Sequence, residues 1–192
     1  GLLALFTATK ISENVVRDWA LSLMNQAIAP QSMALTAEEF HLGFLPKPNI
    51  ELKKVNIQNL TTNQYFQLEA IQLAPSGLSL FTGKLGVDIY VPMGEGSIDA
   101  TLGLGGRNFS ASIAGNKLDL HRILALAGFP GIKTKGQLSL KLELSGDLYT
   151  PPTWNGEFTL EGKSIALLQQ NLMGIELPTM NISEVKNKVS LN

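Results

Sequence analysis

The stretch GQLSLKLELSG, from Gly136 to Gly146, sets Leu138, Leu140, Leu142 and Leu144 at every second position, with Gln137, Ser139, Lys141, Glu143 and Ser145 between them. Successive side chains of a β-strand point to opposite faces, so this stretch predicts a strand with one leucine face and one polar face. The same period of two recurs on both sides of it. Upstream, it sets Leu85, Val87, Ile89 and Val91 in GKLGVDIYVP, then Ile98, Ala100, Leu102 and Leu104 in GSIDATLGLGG, then Phe109, Ala111 and Ile113 in NFSASIAG. Downstream, Phe158 and Leu160 continue it in GEFTLEG, and Val189 with Leu191 begin a further strand. Two earlier runs change phase part-way. NIELKKVNIQNL sets Ile50 and Leu52 on one side, then Val55 and Ile57 after a slip at Lys53-Lys54, which reads as a β-bulge. QYFQLEAIQLAP moves likewise from Phe66, Leu68 and Ala70 to Ile71 and Leu73.

Two segments have helical spacing instead. From Ser12 to Ala29, Val16, Ala20, Leu23 and Ala27 recur every three or four residues, flanked by Val15 and Trp19, with Ser12 as N-cap and Pro30 as a stop. In LDLHRILALAGFPG, Asp119 caps a short helix with Leu120, Ile123, Leu124 and Ala127 as its apolar stripe, Gly128 at C′ and Pro130 beyond. Glycine stands at Gly83, Gly86, Gly96, Gly115, Gly136, Gly146, Gly156 and Gly162, and reads as punctuation between strands. The fold class expected is α+β, predominantly β. It is a curved antiparallel meander sheet, an open groove or partial barrel, with an N-terminal amphipathic helix and one short internal helix.

Composition bounds the chemistry. The chain has 192 residues, 44% of them hydrophobic and 16% charged, with 18 Gly, 2 His, no Cys and a net charge of −1. A charged fraction below the usual quarter of a globular chain, with this much leucine, predicts one cored domain over residues 1–192 and excludes general disorder. Without cysteine there is no disulfide scaffold, thiolate metal site or cysteine nucleophile. The balanced charge offers no basic field for nucleic acid, and Lys53, Lys54, Lys133 and Lys135 are too few for a nucleic-acid platform. Residues 1–11, including the apolar run from Leu2 to Phe6, are too short to span a bilayer and read equally as a first element or as the stub of a removed membrane anchor.

Individual motifs carry little catalysis. Gly103 to Asn108 is glycine-rich but stands between strands, so it reads as a hairpin turn rather than a phosphate loop. Gly94 to Ser97 also reads as a turn. His41 and His121 have no carboxylate at ligand spacing, so no metal site is expected, and Glu38 with Glu39 are expected on a solvated face. Trp154 reads as a lid over the end of a core. No catalytic or cofactor-binding residue is singled out. The candidate functional feature is the apolar face: Leu85, Val87, Ile89, Leu102, Leu138, Leu140, Leu142, Leu144, Phe158 and Leu160. Either the two helices cover it as an ordinary core, or they cover part of it and leave a trough for acyl chains or another protein's apolar segment. A long leucine-rich edge strand also implies association through sheet edges, with a partner or with itself.

The order of these elements resembles the type II secretion system protein N family, itself similar to the AsmA-like group of envelope proteins. The resemblance rests on the helix ENVVRDWALSLMNQ, the strand IELKKVNI, the entry LDLHRILALAG, the strand pairs GIKTKGQLSLKLELSGDL and WNGEFTLEGKSIAL, and the segment MGIELPTMNIS. It implies a periplasmic β-rich domain, anchored to the inner membrane in a longer protein that extends past both ends of this chain. It implies a non-enzymatic accessory role in type II protein secretion with other secretion proteins as partners, and supplies no catalytic residue or cofactor. The AsmA-like relatives imply the alternative, a lipid-binding or lipid-transfer groove.

Overall fold

The computed structural model describes residues 13–29, 32–43, 48–61, 63–76, 85–127, 129, 131–172 and 174–191. The expected stub at residues 1–11, the Ser12 cap, Pro30, Gly83, Gly128 and Pro130 lie outside them, as do the side chains of Val16, Trp19, Leu23 and Ala27. The elements are α1 (Glu13–Ile28), β1 (Met33–Gly43), β2 (Asn49–Asn59), β3 (Gln64–Pro75), β4 (Leu85–Met93), β5 (Gly96–Gly105), β6 (Asn108–Asp119), α2 (Leu120–Leu126), β7 (Thr134–Asp147), β8 (Asn155–Leu167), β9 (Gln170–Leu172), β10 (Ile175–Leu177) and β11 (Met180–Leu191). The fold is predominantly β. Strands β1 to β8 lie side by side in chain order, β11 follows β8, and β9 with β10 form a separate hairpin. Among the described residues neither β1 nor β11 has a second strand neighbour, so the antiparallel sheet is open and not a closed barrel.

The chain divides into two compact units, Gly1–Ala70 and Ile71–Asn192. In the first unit α1 packs against β1, with Ala20 and Leu35 buried. The Asn25 side chain donates to the Leu35 carbonyl at 2.8 Å and accepts from the Leu35 amide at 2.7 Å, so it occupies the position a neighbouring strand would take on β1. The slip expected at Lys53-Lys54 is present. Lys54 adopts a left-handed φ of 50°, and the change of phase brings both Leu52 and Val55 inward to complete burial. A left-handed non-glycine residue costs about 1–2 kcal/mol, and two fully buried aliphatic side chains outweigh that. Lys54 Nζ reaches Glu39 at 2.8 Å and Glu38 at 3.4 Å, so the two consecutive carboxylates converge on one ammonium.

In the second unit, tight turns join β4 to β5 and β5 to β6 at Gly94 (φ 68°) and Gly106 (φ 63°), where the sequence predicts hairpins. Gly115 and Gly162 lie inside β6 and β8 and not at strand ends as expected, whereas Gly146 and Gly156 stand one residue from the end of β7 and the start of β8. They provide room for neighbouring side chains. A Cβ on Gly146 would stand 2.6 Å from Trp154 Cδ1, and one on Gly162 would meet Ile165 and Leu138. Left-handed Lys117 and Ser164 mark two further bulges, in β6 and β8, where the register against β7 shifts. The first lets β6 run on to Asp119, whose carboxylate accepts from the Arg122 amide at 2.9 Å as the expected cap of α2.

The tightest packing of this unit is at that end of the sheet. Leu118 is 0% exposed beside the half-covered strands, and α2 packs on β6 and β7. Leu118→Ala should therefore cost about 2–5 kcal/mol of stability. Leu85→Ala, at a position 78% exposed, should cost less than about 0.5 kcal/mol. Urea titration of both variants tests the contrast, and equal losses would contradict the burial described.

Candidate functional site: an uncharged sheet face

Directly paired residues of adjacent strands project from the same face of a sheet. Pairing therefore assigns sides across the second unit. One row runs through Leu73, Ile89, Ala100, Ile113, Leu142, Phe158 and Val189, from β3 to β11. Beside it run Pro75, Val87, Leu102, Ala111, Leu144, Gly156 and Leu191. On the other side are Val91, Ile98, Gly115, Leu140, Leu160 and Asn187, and the bulged end adds Leu118, Leu138, Gly162 and Val185. All ten residues singled out in the sequence, Leu85, Val87, Ile89, Leu102, Leu138, Leu140, Leu142, Leu144, Phe158 and Leu160, lie on this one face. None of the residues in these rows is ionisable, and each full row crosses seven strands, roughly 29 Å at about 4.8 Å per strand.

The opposite face carries the charge. Asp88, Thr101, Ser112, Glu143, Glu157 and Ser190 form one of its rows, and Asp99, Ala114, Lys141, Thr159 and Lys188 the next. Thr101 donates to Asp88 at 2.9 Å, and Lys141 pairs with Glu143 at 2.7 Å. A shallow depression of about 250 Å³ on this face is lined by Ala114, Ser139, Lys141, Thr159 and Glu161 among others.

The apolar face is only partly withdrawn from water. Leu85, Leu104, Leu102 and Val87 are 78%, 46%, 42% and 41% exposed, and they form one patch because Leu85 pairs with Leu104 and Val87 with Leu102. Among the described residues of this unit, α2 is the one α-helix, and it packs at β6 and β7, away from β4 and β5. The expectation that helices cover the whole face as a closed core is thus not met at β4 and β5. Seven residues of helix are too short to shield seven strands.

The corner after β7 closes one end of the face. Trp154 stacks edge-on against Phe109, with ring centroids 5.2 Å apart, and donates from Nε1 to the Asp147 carbonyl at 2.8 Å. It is the lid expected from the sequence. Asp147 organises the corner by accepting from the Tyr149 amide at 2.8 Å and pairing with Arg107 at 3.1 Å. The Tyr149 amide foremost, then the Arg107 charge and the Thr150 hydroxyl, hold the Asp147 carboxyl below its usual range against a smaller opposing effect of burial.

Both histidines and the buried Gln170 have structural partners. His121 Nδ1 donates to the Ile132 carbonyl at 3.0 Å, and exposed His41 lies 3.7 Å from Glu39. Buried Gln170 is satisfied by Lys133, accepting from its amide at 2.8 Å. Among the described residues, no three His, Cys, Asp or Glu side chains group at a spacing suited to a metal ion, and no helix is long and apolar enough to cross a membrane. No protein-family model, curated protein or solved structure matches the chain.

The depressed Asp147 carboxyl contributes stability above its unfolded-state pKa, and this is lost as pH falls through the lower folded-state value. Asp147→Asn should therefore lower the urea midpoint at pH 7, with the gap to the unchanged chain closing as pH falls below the usual carboxylate value of 3.8. A gap that persists unchanged in acid would contradict the role given to this charge.

Proposed function

We propose that this chain is a non-enzymatic accessory domain of the bacterial type II secretion machinery, periplasmic and held at the inner membrane in the full-length protein. It acts by receiving apolar segments of other secretion proteins on its uncharged sheet face. The observation that carries this reading is the half-exposed patch of Leu85, Val87, Leu102 and Leu104 within rows that contain no ionisable side chain. Fully burying an aliphatic side chain is worth about 1.5–3 kcal/mol, so covering the exposed remainder of four gives a partner several kilocalories of gross driving force. The resemblance of the element order to the secretion protein N family supplies the machinery to which the partner would belong.

A second reading draws on the same face. Rows of apolar side chains across seven strands suit the acyl chains of lipids as well as protein segments, which is the lipid-handling role implied by the AsmA-like likeness.

Two measurements distinguish these readings. Affinity capture from envelope extracts with the unmodified chain should recover secretion components, and capture should fall at least tenfold with Leu85→Glu plus Leu102→Glu. Both positions are exposed enough to take a carboxylate without unfolding, which circular dichroism checks. Native mass spectrometry of detergent-free protein should show no acyl-lipid adducts under the first reading and adducts sensitive to the same substitutions under the second. If the substitutions change neither capture nor adducts, the apolar face is not the binding surface.

A further inference from the structure

The two outer strands of the sheet differ at their free edges. The Asn25 amide satisfies Leu35 on β1. Strand β11 pairs with β8 from Met180 to Leu191 and, among the described residues, has no second strand neighbour. An edge strand presents a row of N–H and C=O groups to any strand whose side chains are compatible. On the polar side of β11 stand Glu184, Lys186 and Lys188, opposite Lys163, Glu161 and Thr159 of β8. Lys186 pairs with Glu161 at 2.6 Å and Lys188 with Glu157 at 2.9 Å, so both lysines are already partly neutralised from within.

Charge then selects the strand that fits. Like charges directly opposite one another destabilise a strand pair, and opposite charges stabilise it. A two-fold antiparallel pairing of β11 with itself places one residue opposite its own copy. Centring it on Glu184 or Lys186 puts like charges on the axis, and centring it on Asn187 sets Lys186 against Lys188 twice. Centring it on Val185 sets Val185 against Val185, Glu184 against Lys186 on both sides of the axis, and Ser183 against Asn187.

We infer that β11 is a homodimerisation edge, joining two copies of this chain antiparallel about Val185. Each Glu184 then stands between its own Lys163 and Lys186 of the second copy, and each Lys186 between its own Glu161 and Glu184 of the second copy. Charge alternates across four strands. Val185, paired with Gly162, lies on the uncharged side, so the two apolar faces meet at the axis.

The chain has no cysteine, which makes the register directly testable. Mild oxidation of Val185→Cys should give a disulfide-linked dimer, whereas Val189→Cys, opposite Asn181 in this register, should not cross-link. In sedimentation the unmodified chain should be dimeric. Glu184→Lys and Lys186→Glu should each weaken the dimer by roughly tenfold, and an equimolar mixture of the two variants should restore dimerisation as a heterodimer, with circular dichroism confirming the fold throughout. A chain that stays monomeric at its highest soluble concentration would overturn the inference. So would equal cross-linking at both cysteine positions, or folded single variants whose defect mixing the two does not repair.

Discussion

A sheet with one face free of ionisable groups can remain in water only while something limits the exposure of that face, and this constraint organises the second unit of the chain. The row from Leu73 to Val189 and its neighbours have no charged side chain, while the other face carries Asp88, Asp99, Lys141, Glu143 and Glu157. The unit withdraws part of the apolar face by local means. Bulges at Lys117 and Ser164 turn Leu118 and Ile165 toward Leu138, Trp154 folds over Gly146, and α2 covers the end of β6 and β7. None of these devices reaches the paired leucines of β4 and β5.

The in-strand glycines follow from the same constraint. Glycine in a strand is weakly unfavourable because it loses backbone entropy and has no side chain to pack. At Gly146 and Gly162 that cost is offset by the indole and the aliphatic groups that lie where a Cβ would stand. At these positions the sheet covers part of its apolar face with its own larger side chains.

Much of this was legible in the sequence. The period of two located β3, β4, β5 and β7 closely, and because that period also assigns sides, it placed all ten candidate residues on one face. The slip at Lys53-Lys54 and the Asp119 cap were readable because each has a local cause. Strand β1 was not, because MALTAEEFHLG is rich in helix-forming Met, Ala and Glu and changes phase at Glu38; its pairing with β2 overrides that propensity. Gly115 and Gly162 were misread because spacing does not separate a turn glycine from one that makes room for a neighbouring leucine or isoleucine. How much of the face is covered depends on contacts between elements distant in sequence, which no local pattern records.

The central claim is that the leucine face is open to solvent over β4 and β5 and closed at Leu118. Methyl NMR of the chain with a soluble paramagnetic relaxation agent tests it most directly. The methyl groups of Leu85, Leu102 and Leu104 should relax strongly and those of Leu118 and Leu138 weakly. Uniformly weak relaxation across all five leucines would mean that the face is covered and would contradict the account.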